Sequence, residues 1–284
     1  MAFHVIARYG EMRHIGLFCT DIQDLRRGER CILRTDRGVE LGETITRAAE
    51  PDPAQEAGII GQVLRRALPR DVARAEEIET QFAPQEYTFC ASKIREHGLP
   101  MKLASVEHLF GGDKIIFYFL AEGRVDFRAL VKDLAAQYRT RIEMRQIGVR
   151  DEARLLATVE HCGRELCCKS FMKDLAPVTM RMAKAQKTTL DPAKISGRCG
   201  RLMCCLRFED QVYAELRDEL PKRGSRVETP QGPGIVLATE TLKQTVTVEV
   251  EGKGEAIFPV KDVQALEREP APPADESPSG GNDE

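Results

Sequence analysis

The sequence predicts an α+β protein. It has a central antiparallel-type sheet with helices on one side, a cysteine-rich helical and loop segment, and a small SH3-like β-barrel of short strands. Three observations predict this. Short apolar runs broken by glycine-bearing turns mark strands in 4–49, 101–120 and 222–265. Apolar residues recur at helical spacing over 71–98 and 126–140. Six of the nine cysteines crowd into two boxes, "HCGRELCC" at 161–168 and "RCGRLMCC" at 198–205.

Taken in order, residues 1–58 form an N-terminal β-rich segment. "HVIARYG" and "HIGLFC" are strands, and "GERCILRTDRGVELGETI" is a hairpin turning at Asp36-Arg37-Gly38. "EPDPAQEAG", 50–58, is a polar break with two prolines. The α+β core domain spans 59–150 and opens on a further strand at 59–68. A helix capped by Asp71 follows, carrying Val72, Ala75, Ile78 and Phe82 on one face. Pro84 kinks or splits that helix, and Gly98 ends it. A hairpin turns at Gly111-Gly112-Asp113. The helix 126–140 then shows Phe127, Leu130, Val131, Leu134 and Tyr138 on one face, and a strand closes the unit at 141–149. Residues 151–221 are the cysteine-rich, metal-binding segment, helical from the second box to Leu220-Pro221. Residues 222–266 form the SH3-like barrel. The Pro-, Ser-, Gly- and acid-rich 267–284 has little to bury and is expected to be a disordered acidic tail.

The totals exclude several classes. The chain has 284 residues, enough for two or three domains, and a formal net charge of −3, so it is not a polycation. No apolar run is long enough to span a bilayer, and the first residues lack the apolar core of a signal peptide. A soluble, cytoplasmic protein is expected. Nine is an odd number of cysteines, and a reducing compartment makes a disulfide framework unlikely to form. Cys19, Cys31 and Cys90 stand alone among apolar residues and read as small buried hydrophobes. Phosphate-loop, nucleophile-elbow and zinc-protease signatures are absent, and no enzymatic activity is expected.

Each box sets a Cys, then Gly and Arg, then two residues, then a Cys pair. The first sulfur lies five positions before the second, about 140° apart on a regular helix, so a bend is needed before both can face one centre. Gly163 and Gly200 stand where that bend is required. Adjacent cysteines diverge, so either one member of each pair ligates or the two serve different centres. Soft thiolate clusters suit iron–sulfur centres or zinc. Cys162, Cys167, Cys168, Cys199, Cys204 and Cys205 exceed what one four-coordinate zinc takes, which favours an iron–sulfur cluster, two centres or sharing with a partner chain. Arg164 and Arg201 fit as cations beside thiolates, and His161 as an outer hydrogen-bond donor or an alternate ligand. The plainer alternative is packed, reduced cysteines in two helical turns. Neither box has the C-x-x-C spacing of disulfide exchangers.

Between His161 and Arg207 ten Lys or Arg stand against three acids, a local excess of seven in an acidic chain. Lys184, Lys187, Lys194 and Arg198 are candidates for contact with phosphate or an acidic partner. Few rings accompany them, so base stacking has little support.

The stretches "RTRIEMRQIGVRDEA" and "KISGRCGRLMCCL" resemble the bacterial RicT family, also called YaaT, which carries the conserved C-terminal region first named for a yeast polymerase suppressor. The resemblance covers about residues 60–210. It implies a subunit of a 4Fe–4S-carrying complex with two small helical partners, RicA-like and RicF-like, acting with the endoribonuclease RNase Y in mRNA maturation and influencing sporulation. The six box cysteines fall on the cluster-ligand motifs of that family. An adaptor is expected, with RNA contact possible but indirect and no membrane insertion. Two rival readings stand beside it: a zinc-stabilised nucleic-acid-binding module, and a scaffold without metal.

Overall fold

The computed structural model describes residues 3–51, 57–172 and 175–266. It divides into two compact units. Of the described residues, one comprises those up to 175 with 196–201, the other 176–195 with 202–266. The predicted acidic tail, 267–284, lies outside the described residues.

The first unit begins with a closed five-stranded barrel in the order β1-β2-β5-β3-β4, built from β1 (Phe3–Tyr9), β2 (His14–Thr20), β3 (Arg30–Arg34), β4 (Val39–Thr44) and β5 (Ile59–Arg66). Alternation along β1 turns Val5, Ala7 and Tyr9 inward against Phe18, Cys31, Leu33 and Val63. β5 joins from beyond the polar break. It runs parallel to β2 and antiparallel to β3, so the 59–66 strand belongs to the barrel. Gly61 makes that closure possible, because a Cβ there would lie 2.1 Å from the Arg34 carbonyl oxygen.

The helix of 71–98 forms in three pieces: α1 (Pro69–Glu77), a π-helical turn (Ile78–Phe82) and α2 (Ala83–Glu96). Pro84 has no N–H to continue the α-helical ladder, and the wider turn takes up the lost bond through Ala83 N–H to Ile78 O. Asp71 sits one turn inside the start rather than at the cap. Its carboxylate accepts the Leu68 N–H at 2.7 Å. Gly98, with φ +59°, ends α2, and the Leu99 N–H returns to Ile94 O at 3.1 Å.

The central sheet has three strands, β6 (Lys102–His108), β7 (Lys114–Leu120) and β8 (Arg141–Gln146), in that order. β6 and β7 are antiparallel, as the hairpin signal predicts. β7 and β8 are parallel, which corrects the expectation of an antiparallel-type sheet. The cause is α3 (Arg128–Tyr138), a crossover that returns the chain to the starting end of β7. α2 and α3 cover one face through Cys90, Ile94, Leu130 and Leu134. The other face is also covered, by Met12 from the barrel and Leu155 from α4 (Val149–Leu156). Burial on both faces explains the unbroken apolar run of β7. Phe117 is fully buried there, which contributes roughly 2–3 kcal/mol.

α5 (Cys167–Ser170) completes the first unit. The second contains α6 (Met180–Ala185), α7 (Pro192–Ile195) and α8 (Cys204–Asp218). Met182 and Ala183 pack on Leu206, and the buried Gln186 amide donates to Leu206 O at 2.6 Å. β9 (Arg226–Thr229), β10 (Gly232–Glu240), β11 (Thr245–Val250) and β12 (Gly254–Pro259) make an antiparallel meander. A 3₁₀ turn (Val260–Asp262) then brings β13 (Gln264–Ala265) back beside β9. Val227, Val236, Val246, Val248 and Phe258 form its core. Among the described residues a closed barrel forms at the N-terminal end, where the sequence predicts a β-rich segment, and β9 to β13 form a five-stranded sheet.

Candidate functional site

The two cysteine boxes fold alike, residue for residue, at an offset of 37. In the first, Glu160 N–H bonds Arg164 O and Gly163 N–H bonds Glu160 O, both at 2.9 Å. In the second, Gly197 N–H bonds Arg201 O and Gly200 N–H bonds Gly197 O, again at 2.9 Å. Gly163 and Gly200 adopt φ of +76° and +72°, the left-handed bend the spacing requires. Leu166 and Met203 then take nearly the same extended conformation, φ −53° and −58°, before a helix starts on the cysteine pair. Each box is thus a tight turn carrying one cysteine, followed by a helix start carrying two.

The cysteines differ in exposure. Cys162 is exposed and Cys168 buried, while Cys167, Cys199, Cys204 and Cys205 are intermediate. Burial, with Glu209 and Cys204, pushes the Cys205 thiol up. The chain passes from one unit to the other inside the second box. Cys162, Cys167, Cys168 and Cys199 belong to the first unit, Cys204 and Cys205 to the second.

Within the first unit the two turns meet at Glu160, whose side chain is 14% exposed. Its Oε1 accepts the backbone N–H of His161 at 3.0 Å, and its Oε2 accepts that of Arg198 at 3.0 Å. His161 and Arg198 occupy equivalent positions, each directly before the cysteine of its turn. One carboxylate therefore bridges matching groups of the two copies. Around it, His161 Nε2 is 3.5 Å and Arg198 Nε 4.0 Å from Glu160 Oε1.

Further anchors fix the first box. Arg13 from the barrel pairs with Glu165 at 2.8 Å, and Lys169 Nζ donates to Ala157 O at 3.3 Å. Arg154 lies beside Cys168. Burial lowers the Arg154 pKa, with Asp151 and the Cys168 sulfur opposing. The expected cations are arranged differently. Arg201 lies toward Gly148, where a Cβ would be 3.9 Å from its Nη2, and lines a groove with Met101, Leu120 and Ile147. Arg164 supplies its carbonyl to the first turn. Lys184, Lys187 and Lys194 are exposed on the second unit, Lys187 donating to Thr239 O, while Arg198 is on the first.

Thiols are the right donors for a soft metal centre. Among the described residues, however, no group of three or more His, Cys, Asp or Glu side chains gathers closely enough to hold a metal ion. What the first unit does assemble is a pair of thiol-bearing turns. Glu160, Arg154 and Glu165 are the residues that sequence reasoning missed. A signal for Glu160 existed: the copies diverge there, Glu160 against Gly197, one position outside the motif.

Comparison with known sequences defines a PSP1-type chain. Residues 61–147 match the PSP1 C-terminal conserved region, and residues 177–220 match the third domain of PSP1-like proteins. Over 219 residues the chain is 45% identical to Stage 0 sporulation protein YaaT of Bacillus subtilis, covering 77% of this chain and 79% of that protein. The chain belongs to the YaaT family. It is also 39% identical over 83 residues to an uncharacterised protein of Schizosaccharomyces pombe, covering 29% of this chain and 11% of that one. No solved structure matches. Among the described residues no helix is long and apolar enough to cross a membrane.

Proposed function

We propose that this chain is a non-enzymatic, cytoplasmic adaptor that carries an iron–sulfur cluster, of the 4Fe–4S type, on its box cysteines. In this reading it assembles with small helical partners like RicA and RicF and modulates mRNA processing by RNase Y, with any RNA contact indirect. The relative named a stage 0 sporulation protein supports a sporulation-related regulatory role. The observation that carries the reading is the duplicated turn, which presents one thiol on a glycine bend and two at a helix start, twice in one chain. The left-handed glycine after each first cysteine lets the turn close tightly beside that sulfur, which suits a ligand arm. In this reading partner chains supply or gather the remaining ligands, which agrees with the lack of a converged group of three donors among the described residues. Lys184, Lys187, Lys194 and Arg198 serve as contacts for an acidic partner, and the C-terminal sheet as an SH3-like module.

Anaerobic co-purification with co-expressed partners, followed by iron and sulfide analysis, tests this. Brown protein whose visible absorbance is lost in Cys162→Ser or Cys199→Ser is expected. Colourless protein without iron removes the reading, and stoichiometric zinc replaces it with a zinc-stabilised nucleic-acid-binding module.

A further inference from the structure

We infer that Glu160 is a positioning residue, whose carboxylate clamps the two turns together and holds the thiols of Cys162 and Cys199 as one donor pair for a soft cation. The donor role rests on the thiol-ligand reading above. The clamp itself needs no metal.

The geometry carries it. The two N–H groups that Glu160 accepts belong to equivalent residues of a structural repeat, and each immediately precedes a turn cysteine. A carboxylate has acceptor capacity on both oxygens and can serve two donors from opposite sides. A mostly buried, charge-assisted bond of this kind is stronger than a neutral one. Gly197 stands at the position equivalent to Glu160 in the second copy, so only one of the two turns carries a carboxylate there. The arrangement is asymmetric in sequence and matched in geometry. The Arg198 bond, at 3.0 Å, crosses from one turn to the other, while the His161 bond, also at 3.0 Å, holds the carboxylate against its own turn.

The substitution Glu160→Gln is diagnostic. A glutamine offers one oxygen and one NH₂, so on one side a donor faces a donor. Arg198→Ala keeps the backbone N–H and removes only the guanidinium, so it should leave the clamp intact.

The test uses the full chain with Cys167, Cys168, Cys204 and Cys205 replaced by Ala, its thermal midpoint checked first. Diamide then oxidises it: the two thiols lose two protons and two electrons to form the disulfide, and diamide becomes the hydrazine. Peptide mapping follows the Cys162–Cys199 bond. Glu160→Gln should slow its formation by about tenfold or more, the size expected for a lost charged hydrogen bond, and Arg198→Ala by less than about twofold. An unchanged rate in Glu160→Gln, or no Cys162–Cys199 bond in the parent, overturns the inference. If Glu160→Gln fails to fold, amide exchange in the unsubstituted chain decides. Slow exchange at both His161 and Arg198 supports the clamp, and free exchange at Arg198 overturns it. Iron analysis separates the two ideas. A Glu160-dependent bond in a protein that never binds iron keeps the clamp and removes the cluster. An iron-loaded protein whose disulfide ignores Glu160 does the reverse.

Discussion

Arg37 Nη2 lies 2.5 Å from Glu107 Oε1, with both side chains buried. The contact joins the β3–β4 turn of the barrel to strand β6 of the central sheet. Tyr118 donates to the other oxygen of Glu107 at 2.6 Å, and Glu40 flanks Arg37 at 3.5 Å. Burial alone would lower the Arg37 pKa, but Glu107 and Glu40 reverse this and leave it raised. Removing the guanidinium strands two buried carboxylates. Arg37→Met should therefore cost about 3–5 kcal/mol in urea unfolding. The exposed pair Arg128–Asp126 is the control, where Arg128→Met should leave the urea midpoint unchanged.

Glu40 predicts a pH dependence of opposite sign to an ordinary surface carboxylate. Burial raises its pKa, with Arg37 and the Thr35 hydroxyl opposing. The folded value thus lies above the unfolded one. Its favourable contribution is complete below the usual carboxylate range and is lost as pH rises through the raised value. Glu40→Gln, neutral throughout and still able to accept from Thr35, should raise the thermal midpoint at pH 8. The gain should close below about pH 4.5. A lower midpoint at pH 8 would mean that pairing with Arg37 outweighs burial.

Thiol reactivity should sort the cysteines by environment. Burial pushes Cys31 up to about 11 and Cys90 up to about 12, and both are sealed from solvent. Neither should react with iodoacetamide in native protein at pH 8, while exposed Cys162 is alkylated first. Mass mapping of a time course checks the order. Early modification of Cys90 would contradict the packing of α2 on the sheet.

The two glycine bends make a matched prediction. No atom lies within 4 Å of a Cβ built on Gly163 or Gly200, so the cost of substitution is purely in the backbone. Gly163→Ala and Gly200→Ala should each destabilise by roughly 1–2 kcal/mol, and Asn at either position by less. Gly123→Ala, equally uncrowded and outside the left-handed region, should cost nothing measurable. Equal costs at all three positions would deny the bends their role.

Much of this was readable from local pattern. The hairpins at Gly38 and at Gly111-Gly112, the split at Pro84 and the stop at Gly98 all follow from turn and breaker chemistry within a few residues. What escaped was non-local. The parallel pairing of β8 with β7 depends on where α3 returns the chain, and β7 looks the same in either pairing because it is buried on both faces. Barrel closure depends on β5 reaching across from beyond residue 58. At the candidate site, the repeated motif gave the thiols and the glycine bends. At Glu160 the copies diverge, but nothing in the linear chain ties that carboxylate to the Arg198 N–H, 38 residues away.

β5 also has a consequence for how the polypeptide acquires its shape. The strands β1 to β4 leave the ribosome as two hairpins with open edges, and the pair β2 and β3 cannot be joined until Arg66 has emerged. Until then the growing chain exposes pairing edges of the kind that invite misassociation. Closure then couples residues far apart in sequence, the slow class of folding event. Four of the five barrel strands precede the polar break, but completion of the barrel waits on the residues that lead into the next helix.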